Sequence, residues 1–213
     1  MPYMILKILI VIVFMFQVHG AMADSYEDLL KAVKANDIPA AEALFAKGMD
    51  VDTTDPGGNT LLMLAARENA IEMARRLLER RAKMAARNRY GETALMLAAA
   101  TGGLELVKLL GEHGAGVNTP GWNALIYAAW QGKTDVVKYL LEKGANIDAV
   151  APNGVSALMI AVRGGHFDTV KLLLWEVADP NLKNDSGATA LAWALRAGNS
   201  DIAALLRQAG AKE

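Results

Sequence analysis

The chain has no cysteine at all. That excludes disulfides, thiolate metal sites, cysteine nucleophiles and a lipidated N-terminal cysteine, so the fold must be held by packing alone. Histidine is scarce too, with three in 213 residues. His113 and His166 are the two outside the N-terminal segment, and neither has a second His at metal-ligand spacing. There is also no excess of either charge, with 22 Lys and Arg against 23 Asp and Glu. Phosphate binding needs a concentrated basic face, so nucleic acid is not expected as the main partner. No G-x-G-x-x-G or G-x-x-x-x-G-K-[ST] loop occurs, and Asp and Glu are scattered singly. These absences point away from an enzyme and away from any cofactor or metal.

The apolar runs are short as well. The longest, "ILIVIVFMFQV" at 8–18, has eleven residues, below the roughly 20 that span a bilayer. It follows Lys7 and precedes "AMA" at 21–23. That order of charge, apolar stretch and small residues predicts a signal peptide over 1–23, cleaved between Ala23 and Asp24. Loss of Lys7, the segment's only charge, takes the net charge from −1 to −2. Export to the periplasm or outside the cell follows, with no membrane association after cleavage. The alternative is a retained N-terminal anchor, which would make the protein a membrane-anchored scaffold.

What the chain does contain is repetition. "GNTLLMLAA" begins at Gly58, "GETALMLAA" at Gly91, "GWNALIYAA" at Gly121, "GVSALMIAV" at Gly154 and "GATALAWAL" at Gly187, in steps of 33, 30, 33 and 33. A second landmark, Gly48, Arg81, Gly114, Gly144, Val177 and Gly210, has the same period and the same single three-residue deletion. Two independent markers sharing one period define a repeat array. Each unit reads as an Ala-rich helix, a glycine turn, a second helix with apolar residues at helical spacing, a C-cap, and an extended loop.

The pattern resembles the ankyrin-repeat family. "GANID" at 144–148 and "GAGVN" at 114–118 match the family's closing segment, and "GGHFDTVKLLL" at 164–174 matches its middle. The opening motif departs: Ala94, Ala124, Ala157 and Ala190 stand at its proline, and Met63, Met96, Ile126 and Met159 at its histidine. This variant is similar to small exported bacterial ankyrin-repeat proteins. The resemblance implies an all-α solenoid of about six stacked helix-turn-helix units with short hairpin loops. The repeat domain spans 24–213, with an N-terminal capping repeat at 25–54, units at 55–87, 88–117, 118–150 and 151–183, and a C-terminal capping repeat at 184–213. Polar ends predict a finished array.

The same resemblance implies a non-enzymatic module that binds a protein on the hairpin tips and the concave face of the first helices. One surface column, just after each opening glycine, holds Asn59, Glu92, Trp122, Val155 and Ala188. A second, after the Ala pair, holds Arg67, Ala100, Trp130, Arg163 and Arg196. Both are expected outside the core. Trp122 and Trp130 are candidate anchors, Tyr90 and Val155 would extend an apolar strip, and Arg67, Arg163 and Arg196 would steer an acidic partner. The three-residue deletion shortens the loop before Gly121, so Trp122 should be uncovered beside a notch; alternatively the rings fold back and fill it. A helper of an envelope enzyme or of stress defence, or a secreted effector binding a host protein, shares this physics.

Three further features stand out. Arg75, Arg76, Arg80, Arg81, Lys83, Arg87 and Arg89 crowd one stretch in which Glu79 is the only acid; they either solvate a helix end and loop or meet an acidic partner. Val177, a β-branched residue in a glycine slot, is expected to force a different turn. Trp175 stands where other units have Glu79, Glu112 and Glu142, either repacked against Val177 or offered to a partner or membrane.

Overall fold

The computed structural model describes residues 25–212. The expected signal peptide and its cleavage point between Ala23 and Asp24 lie outside the described residues. Among those described, the secondary structure is helical apart from two isolated bridges, Thr54 with Thr60 and Val150 with Ser156. Twelve helices run in order: α1 (25–34), α2 (Ile38–Ala46), α3 (Leu61–Arg67), α4 (Ile71–Glu79), α5 (Ala94–Thr101), α6 (Leu104–Glu112), α7 (Ala124–Trp130), α8 (Thr134–Glu142), α9 (Ala157–Arg163), α10 (Phe167–Trp175), α11 (Ala190–Arg196) and α12 (Ser200–Gln208).

The third residue of each repeat motif starts an inner helix. Thr60, Thr93, Asn123, Ser156 and Thr189 each accept a hydrogen bond from the backbone N–H three residues on, at 3.0–3.4 Å. Such N-caps satisfy an orphan donor and contribute about 1 kcal/mol apiece. The inner helices α3, α5, α7, α9 and α11 stack one on the next, and α4, α6, α8, α10 and α12 form a second layer behind them. Small side chains in the inner layer permit that approach. Leu61 to Ala66 are all at most 1 % exposed, and Ala98, Ala99, Ala128, Ala129 and Ala161 are sealed completely. Outer helices bury only a stripe, such as Leu106, Val107, Leu109 and Leu110 of α6.

Every outer helix closes alike. After α6, the N–H of Ala115 bonds the carbonyl of Leu110 at 3.0 Å with Gly114 at φ 90°, a left-handed C-cap. Val177 does the same at φ 66°, and Ala178 still bonds Leu173 at 3.0 Å. The expectation of a different turn at Val177 is therefore wrong. The two closing bonds and the next loop's position outweigh a left-handed cost of about 1–2 kcal/mol. Arg81 complies too, at φ 64°.

The loops between units are tied edge to edge by one recurring bond. Asp52, Asn118, Asp148 and Asn181 each accept, through a side-chain oxygen, the backbone N–H of Lys83, Asn146, Asp179 and Lys212 in the following loop, at 2.8–2.9 Å. The second unit has Ala85 in that slot, and the N–H of Gly116 opposite has no acceptor among the described residues. A gap of about 210 Å³ opens there between Ala85, Gly116 and Thr119, with the Thr119 hydroxyl buried and unpartnered. The shortened finger is different at its tip as well. Asp55, Asn88, Ala151 and Asn184 each donate a hairpin N–H to the carbonyl four residues on, whereas no such bond joins residues 118–122.

Candidate protein-binding surface

The short finger ends at Trp122, and its placement follows from the cap beside it. With Asn123 as N-cap, Trp122 precedes the helix and Tyr127 is its fourth residue, the pair that forms a hydrophobic staple. Their ring centroids lie 6.0 Å apart at 77°. Trp130, one turn further, completes a triangle at 6.1 Å from Trp122 and 6.3 Å from Tyr127. Trp122 is half-buried against the core, while Trp130 is 49 % exposed. The cluster thus divides the two readings: Trp122 fills the shortened finger and Trp130 faces out. Trp122 is not the uncovered ring the deletion led us to expect, because the staple draws it down onto α7.

Tyr127 is also the end of a polar chain that crosses three units. Its hydroxyl donates to Glu92 Oε1 at 2.8 Å. Asn88 Nδ2 donates to Glu92 Oε2 at 2.7 Å and to Asn59 Oδ1 at 2.8 Å, and Arg67 Nη2 donates to Asn59 Oδ1 at 3.1 Å. Burial, together with the hydrogen bond and charge of Glu92, pushes the Tyr127 phenol well above its ordinary value of 10.0. Arg67 lies exposed, as expected, but one of its donors is committed to the scaffold.

The two sequence columns separate in space. The column after the Ala pair is open at four of its five positions, with Arg67, Trp130, Arg163 and Arg196 exposed at the ends of α3, α7, α9 and α11 and Ala100 of α5 half-buried. The column after the opening glycine is not. Asn59 is 5 % and Val155 4 % exposed, and Glu92, Trp122 and Ala188 are half-buried. Val155 therefore does not extend an exposed apolar strip; the finger folds its side chain under, onto the inner helices. It forms part of the wall of a depression of about 410 Å³ shared with Trp122, Trp130, Ile160 and Arg163. Next to this lies a second depression of about 460 Å³, lined by Arg163, Trp193, Arg196, Asn184 and Ser186. The Arg163 guanidinium stands 5.9 Å over the Trp193 ring, in cation–π range. Among the described residues, no acid lines either hollow. Trp193 was missed as a site residue. Its position in the repeat slot of Tyr127, between the slots of Arg163 and Arg196, was the available signal.

The other candidates scatter. Tyr90 is 82 % exposed at the tip of the second finger, without a ring contact among the described residues. In the arginine-rich stretch, Arg75 and Arg76 pair with Glu72, Arg76 also with Glu79, and Arg80 with Glu42 while stacking 4.8 Å over Phe45. Lys83 pairs with Asp52 at 3.1 Å. Four of the seven cations are answered by acids of their own helix or the preceding unit, whereas Arg81, Arg87 and Arg89 have no carboxylate within ion-pair distance among the described residues. Trp175 and Val177 are 82 % and 81 % exposed, so the two have not repacked against each other. His113 Nδ1 bonds the Leu109 carbonyl and His166 Nε2 the Trp130 carbonyl, at 2.9 and 2.8 Å. Both imidazoles serve the backbone.

Comparison with known proteins agrees with this architecture. The family model described as ankyrin repeats (3 copies) matches residues 13–88, 29–120, 82–151 and 147–213. The crystal structure of the human ASB11 ankyrin repeat domain is similar with a TM-score of 0.80 and 26 % identity, over 86 % of this chain and 84 % of that one. An ankyrin repeat domain from Acinetobacter baumannii AYE is similar with a TM-score of 0.75 and 33 % identity, over 86 % of this chain and 98 % of that one. No curated protein matches the chain.

Proposed function

Since the chain belongs to the ankyrin-repeat family, whose repeats are protein–protein interaction modules, we propose that it is an exported, non-enzymatic module that holds an acidic protein partner on its concave face. The observation that carries this reading is the pairing of Trp130 with Arg163 around an open hollow that no acid lines. Aromatic and arginine side chains at a concave centre are the types that dominate interface energetics. A rigid stack orders that surface before binding, which reduces the entropy lost on association. The leader-like composition of residues 1–23 supports a periplasmic or secreted site of action.

Capture from the native envelope fraction tests this, comparing the parent protein with a Trp130→Ala, Arg163→Ala double variant. Both side chains are exposed, so the variant should keep its helical circular dichroism. A protein retained by the parent and lost by the variant supports the reading. Equal retention would move the site elsewhere, with the outer face at Trp175 the next place to test.

A further inference from the structure

The two hollows on the concave face differ in chemistry and sit one repeat apart. One is walled mainly by Trp122, Trp130, Val155 and Ile160; the other is bracketed by Arg196 and by Arg163, which lines both, across Trp193. We propose that the surface reads an extended acidic segment of the partner, an apolar side chain entering the aromatic hollow and a carboxylate three residues away entering the arginine hollow. This deepens, and rests on, the reading of the concave face as the binding surface.

Charge complementarity selects the occupant. Arg76, Arg80 and Lys83 have carboxylates within ion-pair distance, whereas Arg163 and Arg196 have none among the described residues. Two guanidinium groups face one hollow that holds no acid of its own. A partner carboxylate placed there gains charge-assisted bonds with planar forks that match its shape. Stacking on Trp193 holds the Arg163 guanidinium, which lowers the cost of ordering that fork.

Spacing selects the conformation. The hollows lie between α7 and α9 and between α9 and α11, so their separation is one helix-to-helix step, about 8–10 Å. A polyproline-type chain rises about 3.1 Å per residue and repeats its side-chain direction every third residue. Positions i and i+3 then stand about 9 Å apart on one side. A pleated strand offers about 7 Å at i+2 or about 13 Å at i+4, and both miss.

The test uses fluorescein-labelled capped peptides with Leu and Asp separated by two, three or four positions in a Pro and Ser background, titrated with purified protein by fluorescence anisotropy. The three-position peptide should bind about tenfold tighter than the others, and its Asn analogue about tenfold weaker. Added salt should weaken the Asp peptide more than the Asn peptide. Arg196→Gln should abolish the preference for the Asp peptide over its Asn analogue. If Asp and Asn peptides bind alike, or all spacings bind alike, the proposal is overturned although the face still binds peptide. If no peptide binds while native capture remains sensitive to Trp130→Ala, the proposal again falls alone. If native capture ignores Trp130 and Arg163 as well, the reading of the face falls with it.

Discussion

Replacing Ala85 by Asp should make the array more stable, which is unusual for a surface substitution in a natural protein. At four junctions a side-chain oxygen accepts the backbone N–H of the next loop at 2.8–2.9 Å. At the fifth, Ala85 faces an unanswered Gly116 N–H across a gap of about 210 Å³. Ala85 is exposed, so the new carboxylate displaces no core atom. One net hydrogen bond is worth about 0.5–1.5 kcal/mol. For a domain of this size that corresponds to a rise of about 2–4 °C in Tm per kcal/mol. Scanning calorimetry and urea titration would measure it, with Asp148→Ala, which breaks an existing tie to Asp179, expected to lose a similar amount. Ala85→Asn separates the bond from the charge and should give most of the gain. The reasoning fails if Asp148→Ala destabilises but neither Ala85 variant gains, since the fifth junction then lacks something other than an acceptor. It fails more broadly if Asp148→Ala changes nothing.

Val177→Gly should stabilise by about 1 kcal/mol in urea titration, because the left-handed cost of a β-branched residue at φ 66° disappears and an 81 % exposed side chain gives up no packing. Gly132→Ala should cost about 2 kcal/mol or more, since a Cβ there meets the His166 ring at 2.5 Å and the site holds φ 64°; an unchanged Tm would refute the close approach. Tyr127→Phe removes the bond to Glu92 and should cost about 1–2 kcal/mol near neutral pH. The folded protein also holds the Tyr127 proton more tightly than the unfolded chain does. That contribution is therefore complete below the ordinary phenol value of 10.0 and drains away as pH rises toward the higher folded value. The stability curve of Tyr127→Phe should accordingly fall less steeply than the parent's above pH 10; identical slopes would contradict the assignment.

The architecture was legible because a 33-residue period with one 30-residue step is visible without any coordinates. The caps are readable in the same way: Thr60, Thr93, Asn123, Ser156 and Thr189 are all short polar residues before an apolar run. The candidate face was half legible. The ends of the inner helices are exposed as read, since Arg67, Trp130, Arg163 and Arg196 follow the helix period. Val155 and Trp122 were misjudged because a finger residue's burial depends on how the loop lies against its neighbours, which no local pattern records. The chain from Arg67 through Asn59, Asn88 and Glu92 to Tyr127 joins residues of three units, and only stacking brings them together. At Val177 the local rule was sound but lost to the geometry demanded by two closing hydrogen bonds and the following loop.

The shortened third finger also says where such a chain tolerates editing. All five outer helices from α4 to α12, like α2, are nine residues long, and four of the five inner helices are seven. Removing three residues from a helix would turn everything after the cut by about 300° and swing buried positions into water. Taken from the finger, the same loss left α7 and α8 in register and altered only a tip bond and the seat of one tryptophan. Fingers can therefore drift in length and identity between copies while the helices are inherited as fixed blocks, so that new surfaces arise without a new scaffold.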